Sequence, residues 1–371
     1  MLTKEQKRKE GAYFTPEELV YEVLWKTTCY IPDDNIPKRI LEPSCGNGAF
    51  ISVLKDVFTD SKIIGIEKNK EFFRECSKKF SCENVKIIND DFLKTSFDEP
   101  FDLIVGNPPY YVHKNKLYNE FFTGRPNIFI QFLIHSLKQL SKNGILAFII
   151  PETFLNCVYY EPSRKFIKEN FEILVIEKNP DMFIDTKYPT ITFICRRSEH
   201  SFNNDSWCYS DVFIYDDCLK ELLKKPYFKL NSFGNSLKIF VGDFVWNEHK
   251  GLISETYIEG SPICLCSGNR KVKFLKNCPK KYVRNHSCII VSRGYGNKYS
   301  FEFSKISPKD YPQGYVLENH LLAISGEDEL LERVLKGFEN DDTKRFIEKY
   351  VTNGALTIND LKNNICVFSN D

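Results

Sequence analysis

The 371-residue chain lacks any apolar run approaching the ~18 residues that a membrane-spanning helix requires. Its first ten residues, Met1-Leu2-Thr3-Lys4-Glu5-Gln6-Lys7-Arg8-Lys9-Glu10, are charged and contain no apolar h-region, so no secretory leader is expected. Excess charge of one sign is also missing. Lys plus Arg is 51 and Asp plus Glu is 50, and a net charge of +1 by itself excludes no class of partner. Internal repeats and low-complexity tracts are absent. The 13 cysteines lack the paired spacing of a zinc ribbon: Cys264-Leu265-Cys266 is followed only by the isolated Cys278 and Cys288. These absences point to a soluble cytoplasmic protein with reduced thiols, no membrane partner and no metal.

What is present is a chain long enough for two domains. Short β-branched runs at Arg39–Pro43, Lys62–Glu67, Val85–Ile88, Phe101–Val105, Ile145–Ile150, Ile173–Ile176 and Thr190–Cys195 read as strands buried on both faces. Between them, Glu17–Thr27 and Asn127–Leu140 carry apolar residues at helical spacing. The alternation predicts an α/β, doubly wound sheet. Residues 198–235 are polar and irregular, so the domains are expected to be 1–238 and 239–371. The second is rich in Gly, Tyr, Lys and short strands, and ends in helices over Asp328–Gly337 and Asp342–Val351.

Chemistry concentrates at strand ends. Ile40-Leu41-Glu42-Pro43-Ser44-Cys45-Gly46-Asn47-Gly48 runs a strand into a glycine turn, which lets backbone approach a ligand closely. The G-x-G spacing resembles a dinucleotide fingerprint, although Ile51 stands where a third small residue would be. Glu67 closes the next strand and suits the hydroxyls of a ribose. Glu67 and the glycine turn together suggest an adenosine-containing cofactor. Asp91 could accept from an adenine amino group while Phe92 stacks on the ring. Thr15 and Pro16 read as N-cap and N1 of the first helix.

The sharpest motif is Asn107-Pro108-Pro109-Tyr110, following the apolar run Phe101–Gly106. An Asn and two prolines are poor packing material at a buried strand end, and Pro109 gives up an N–H. They suit a planar NH2 substrate. The Asn107 side-chain oxygen and the Pro108 carbonyl can accept both of its hydrogens, and Tyr110 can lie against its ring. The turn alone leaves open adenine, guanine N2 in ribosomal RNA, or a glutamine amide in a protein. A catalytically silent DNA-binding subunit is a further alternative.

In this order, Gly11-Ala12-Tyr13-Phe14-Thr15-Pro16, the glycine turn, the acidic strand end, Asp91-Phe92 and Asn107-Pro108-Pro109-Tyr110 resemble the gamma class of N6-adenine DNA methyltransferases of bacterial restriction–modification systems. The resemblance spans roughly residues 10–197, and more loosely 241–250. It implies a class I methyltransferase (Rossmann-like) domain with S-adenosylmethionine (SAM) as cofactor, plus a smaller C-terminal α+β DNA-recognition domain. It also implies double-stranded DNA as partner, a bacterial cytosolic or nucleoid location, and a separate cognate restriction endonuclease acting on the same site without a stable complex. By this likeness Tyr13, Phe14, Thr15, Glu42, Ser44, Cys45, Gly46, Glu67, Lys68, Asp91, Phe92, Asn107 and Pro109 line the cofactor site. Asn127, Phe129 and Phe132 help close it, and Phe183 stacks with Tyr110 on a flipped base. Only ten residues precede Gly11, so an upstream nuclease domain is not expected.

Residues 270–298 carry nine positive charges and no Asp or Glu. Of these, Arg270, Lys271, Lys273, Lys280, Lys281, Arg284 and Arg293 are the expected DNA-binding side chains, interleaved with Tyr282 and Tyr295.

Overall fold

Seven strands form one sheet in the first of two units into which this computed structural model divides. The residues described are 15–112, 117–124, 127–180, 189–245, 247–254, 256, 259, 261–266, 272–294, 299–351 and 355–369. In chain order the first unit has α1 (Glu17–Thr28), β1 (Arg39–Glu42), α2 (Ala49–Val57), β2 (Lys62–Ile66), α3 (Lys70–Phe80), β3 (Val85–Ile88) and β4 (Phe101–Gly106). It continues with α4 (Ile128–Lys138), β5 (Leu140–Pro151), α5 (Glu161–Asn170), β6 (Glu172–Lys178) and β7 (Thr190–Arg196). A small hairpin, β8 (Cys208–Tyr209) and β9 (Val212–Phe213), follows.

The sheet order is β3-β2-β1-β4-β5-β7-β6. The first five of these strands run parallel, and β7 runs antiparallel to both β5 and β6. Side chains alternate across each central strand with period two and so feed two cores. Ile40, Leu103, Val105, Ile145, Ala147 and Ile149 pack with α1 and α2 on one face. Leu41, Ile104, Leu146, Phe148 and Ile150 pack with α4 on the other. Helix α4 is apolar nearly all round, and its residues 128–137 are all buried. Helix α1 buries only Leu19, Val20, Val23, Leu24 and Thr27.

Strand order reverses between β1 and β4, since β2 and β3 extend from one side of β1 and β5 from the far side of β4. The turns leaving the carboxyl ends of those two strands diverge and open a crevice, where doubly wound sheets bind ligands. The glycine turn and the Asn107 turn are those two turns.

The unit boundary falls at Tyr215/Asp216, earlier than the expected 238/239. The reason is a short helix, α6 (Asp217–Leu222), which packs on α8 (Asp341–Tyr350). Asp216 caps α6 through Leu219 N–H (3.1 Å) and accepts from Lys349 Nζ (2.6 Å). Lys349 and α8 lie far along the chain, so the polar stretch around 216 carries no local sign of them. The second unit further contains β10 (Tyr227–Phe228) paired with β19 (Val367–Phe368), and helix α7 (Asp328–Glu339). It has two four-stranded sheets. One is ordered β11 (Lys238–Val241), β18 (Leu321–Ser325), β15 (Cys288–Ser292), β16 (Phe303–Ile306). The other is ordered β12 (Ile253–Ser254), β14 (Val272–Leu275), β13 (Ile263–Leu265), β17 (Tyr315–Leu317).

Candidate active site

The glycine turn is built on two left-handed backbones, Gly46 (φ +52°) and Gly48 (φ +85°). Gly48 is also the N-cap of α2, and a Cβ there would meet the Phe80 ring at 2.5 Å and Cys76 Sγ at 2.9 Å. Only glycine meets both demands. The turn is tied to β2, where Cys45 N–H donates to the Ile66 carbonyl (2.9 Å) and Gly46 N–H donates to Glu67 Oε2 (2.8 Å). The other Glu67 oxygen accepts from Asn69 N–H (2.6 Å). The carboxylate expected at a ribose thus also clamps the turn beside it. The Cys45 side chain points away from this turn into the core, with its Sγ 3.9 Å from Cys76 Sγ, and the hydrogen bond between them together with burial pushes its pKa up. Any contact of Cys45 with a ligand is therefore through its backbone.

Glu42 ends β1 with 2% exposure, and its Oε2 has no hydrogen-bond partner among the described residues. Burial first, then the Cys76 thiol and the Glu67 carboxylate, hold its pKa well above the usual carboxylate range, opposed only by the Ile51 N–H. A buried acid with an orphan oxygen and no counter-ion beside a glycine turn suits a cationic, adenosine-bearing ligand. The residues present fit SAM on that ground.

After β3, Asp91 caps a short turn through Leu93 N–H (3.3 Å) and pairs with Lys68 Nζ (3.1 Å). Phe92 departs from expectation. Its ring is 1% exposed, edge-on to His135 at 4.6 Å and tilted against Phe132 at 5.2 Å. Core neighbours take the surfaces that stacking would need, so the ring supports the turn carrying Asp91 instead of presenting an open face.

At the end of β4 the Asn107 amide lies between two hydroxyls. Its Nδ2 donates to Thr15 Oγ1 (3.2 Å), its Oδ1 accepts from the Tyr110 hydroxyl, and its backbone carbonyl accepts from Ser44 Oγ (3.3 Å). The Ile149 carbonyl on β5, 2.8 Å from the Tyr110 hydroxyl, is a second acceptor for its one proton. Burial raises the Tyr110 pKa well above its ordinary value, which keeps the phenol neutral. The ring is 8% exposed and edge-on to Phe129 at 6.4 Å. Pro108 is buried and Pro109 half-buried. Asn127 caps α4 through Phe129 N–H (3.3 Å), and Ile128 N–H donates to the Tyr111 carbonyl (2.8 Å), which anchors the chain past the tetrapeptide.

Thr15 is not the N-cap that the sequence suggests. Pro16 holds that position without any side-chain cap bond, and its carbonyl accepts from Leu19 and Val20 N–H at 3.1 Å. The Thr15 oxygen is diverted to Asn107, 92 positions away.

His135 and Glu152 escaped the sequence reading. Burial lowers the His135 pKa and keeps the ring neutral. Its Nε2–H donates to the Thr95 carbonyl (3.2 Å) and its Nδ1 accepts from the Tyr118 hydroxyl (2.6 Å). It thereby joins the Asp91 turn to the segment after Asn107. Glu152, 3% exposed at the end of β5, accepts from the Tyr215 hydroxyl (2.7 Å) and faces Lys178 Nζ at 3.6 Å. Its only local signal was a carboxylate directly after an apolar strand. A cavity of 260 Å³ lined by Asp102, Ser141 and Arg196 lies at the opposite, amino-terminal edge of the parallel strands. There Asp102 already accepts from Lys38 and Arg39 N–H and from Ser141 Oγ, so this cavity is not the reactive crevice.

In the second unit Lys280 and Lys281 are exposed on a short turn, with Lys281 Nζ 4.8 Å from the Tyr282 ring centroid. Lys273 and Arg293 are half-buried, and Arg293 donates to the Asn319 carbonyl (3.3 Å). Arg284 is a correction. It pairs in bidentate fashion with Asp243 (3.1 and 3.0 Å), donates to the Tyr282 carbonyl and lies over the Phe240 ring, with 15% of its side chain exposed. Its fork is used within the fold and is not open to phosphate. Tyr13, Phe14, Phe183, Arg270 and Lys271 lie outside the described residues.

The doubly wound sheet, its switch-point crevice and the acid-lined glycine turn define a class I SAM-dependent methyltransferase. Residues 24–182 match the family model described as Eco57I restriction-modification methylase. The chain is 33% identical to Modification methylase CviBIII of Paramecium bursaria Chlorella virus NC1A, over 97% of this chain and 94% of that protein. It is 30% identical to Type II methyltransferase M.CvrRI of Paramecium bursaria Chlorella virus XZ-6E, over 96% and 93%. Among solved structures, that of a DrdV–DNA complex shares the fold with a TM-score of 0.53 at 12% identity, over 85% of this chain and 49% of that one. The chain belongs to the restriction–modification methylase family and uses SAM as its methyl donor. No helix among the described residues is long and apolar enough to cross a membrane.

Proposed function

We propose that this chain is a gamma-class enzyme that methylates N6 of a specific adenine in duplex DNA, protecting that DNA from a separate cognate endonuclease that reads the same site. The observation that carries the reading is the Asn107 amide, held between Thr15 and Tyr110 beside the glycine turn. SAM, when bound, supplies an electrophilic methyl group on a sulfonium.

A base inside a duplex cannot reach such a crevice, so the target adenine is flipped out, at an unstacking cost of a few kcal/mol. Its N6 lone pair is delocalised into the ring and nucleophilically weak. Asn107 Oδ1 and the Pro108 carbonyl accept the two N6 hydrogens, which favours a pyramidal nitrogen with its lone pair directed at the methyl group. That interaction strengthens towards the transition state. Tyr110, neutral by burial, and Phe183 flank the ring, each stack worth about 1–3 kcal/mol. No strong general base is needed, because the proton is lost from an already cationic amine. Glu67 and Asp91 serve the adenosine end of the cofactor and Glu42 its cationic end. Lys280 and Lys281 meet DNA phosphates.

Modification-sensitive sequencing of DNA from cells expressing the chain tests the reading. N6-methyladenine at one recurring sequence is the expected result. Methylation confined to cytosine, or none, would refute it. The amide and guanine-N2 alternatives predict unmodified DNA.

A further inference from the structure

The two ends of an Asn amide are alike in shape and opposite in polarity. The oxygen only accepts hydrogen bonds and the NH2 only donates. A substrate amino group donates, so an amide turned the wrong way would aim N–H at N–H and lose the contact that drives pyramidalisation. Some neighbour must decide which end faces the substrate.

Tyr110 cannot decide it alone. Its hydroxyl has one proton, and the Ile149 carbonyl 2.8 Å away competes for it. With the proton on that carbonyl, the phenol oxygen could equally accept from a turned amide. Thr15 is differently placed. No amide of α1 uses its side chain, although a Thr before a helix ordinarily caps it. Its oxygen lies 3.2 Å from Asn107 Nδ2. Asn107 is meanwhile held from behind, its backbone carbonyl bound by Ser44 Oγ at 3.3 Å, so its side-chain torsions are what neighbours must set.

We infer that Thr15 is a positioning residue whose hydroxyl accepts from Asn107 Nδ2 and so keeps Oδ1 turned to the substrate amino group. The inference rests on the function proposed above and assigns Thr15 a task separate from cofactor binding. Its hydroxyl proton stays available for an acceptor such as the carboxylate of the cofactor. An occupied acceptor there would lock Thr15 as the receiving partner of Asn107.

The test is Thr15→Val, which keeps the shape and removes the hydroxyl, beside Thr15→Ser, which restores it. Turnover is measured at saturating SAM on PCR-amplified, hence unmodified, bacterial genomic DNA. SAM affinity is measured by calorimetry and folding by thermal melting. Thr15→Val should lower kcat by about 10–100-fold, as misaimed catalytic groups do. Its SAM Kd should rise by up to about 10-fold, the worth of the one hydroxyl contact to the cofactor that Val removes, and its Tm should change by less than about 2 °C. Thr15→Ser should recover turnover to within about threefold. Full turnover in Thr15→Val overturns the inference. So does a Thr15→Ser as slow as Thr15→Val, or a loss that appears wholly as weaker SAM binding. Nucleoside mass spectrometry of the wild-type product separates this from the adenine reading. A methylated base other than adenine sinks that reading, while the Val-to-Ser ratio still judges Thr15.

Discussion

Replacing Glu42 by Gln should change how stability depends on pH. The Glu42 carboxyl is 2% exposed, has an orphan oxygen, and faces Glu67 and two thiols with no cation paired to it among the described residues. Its pKa in the fold therefore lies well above that in the unfolded chain. Between those two values the folded, cofactor-free protein holds one proton more than the unfolded one. Stability contributed by this group is full below the unfolded pKa and is lost as pH rises towards the folded one, at about 1.4 kcal/mol per pH unit. Gln mimics the protonated side chain and cannot ionise. The stability difference, variant minus wild type, should thus grow as pH rises from the unfolded pKa towards the folded one, at up to about 1.4 kcal/mol per pH unit, equivalent to roughly 3–5 °C in Tm for a unit of this size. Urea unfolding in half-unit pH steps, without SAM, measures it. Saturating SAM should flatten the wild-type slope, because a cationic ligand favours the carboxylate. A variant-minus-wild-type difference that does not change with pH would refute the argument that this acid is protonated in the fold.

Gly48→Ala should destabilise the first unit by about 2–5 kcal/mol, combining the left-handed backbone cost with overpacking against Phe80 and Cys76; thermal melting within 1 °C of wild type would contradict it. Asn107→Ala should abolish methyl transfer while SAM calorimetry stays near wild type, and unchanged turnover would remove Asn107 from the mechanism. Exchanging both Lys280 and Lys281 for Gln should reduce the slope of log K against log salt for duplex DNA by about 1–2, whereas Arg284→Gln should act chiefly on stability by leaving Asp243 unpaired. Binding should be at least as tight to duplexes in which the target adenine is mispaired, since flipping costs less; weaker binding in a gel-shift titration would count against flipping.

Much of the first unit was legible because its signals are local. Each of the seven expected strands appears, as do helices at Glu17–Thr28 and Ile128–Lys138. Alternation across β4 and β5 divides their residues between two cores as period two requires. The misreadings share one cause. Thr15 carries the signature of a cap, yet its partner lies 92 positions away. Arg284 belongs to a basic run, yet Asp243, 41 positions earlier, holds it in place. Phe92 reads as a stacking ring, and α4 covers it. In each case the chemical type of the residue was right and its partner was set by elements distant in the chain.

The sequence by itself determined the alternation of strands and helices, a glycine turn after the first strand, and an Asn-Pro-Pro-Tyr turn at the end of an apolar one. These follow from periodicity and backbone restriction, which act over a few residues. The sheet order decided the rest. Setting β1 beside β4 brings Ser44 to the Asn107 carbonyl and, with α1, Thr15 to its amide. It also buries Glu42 without a counter-ion. Directional hydrogen bonds and burial depend on which strands become neighbours, and that is settled only when the whole sheet closes around its two cores.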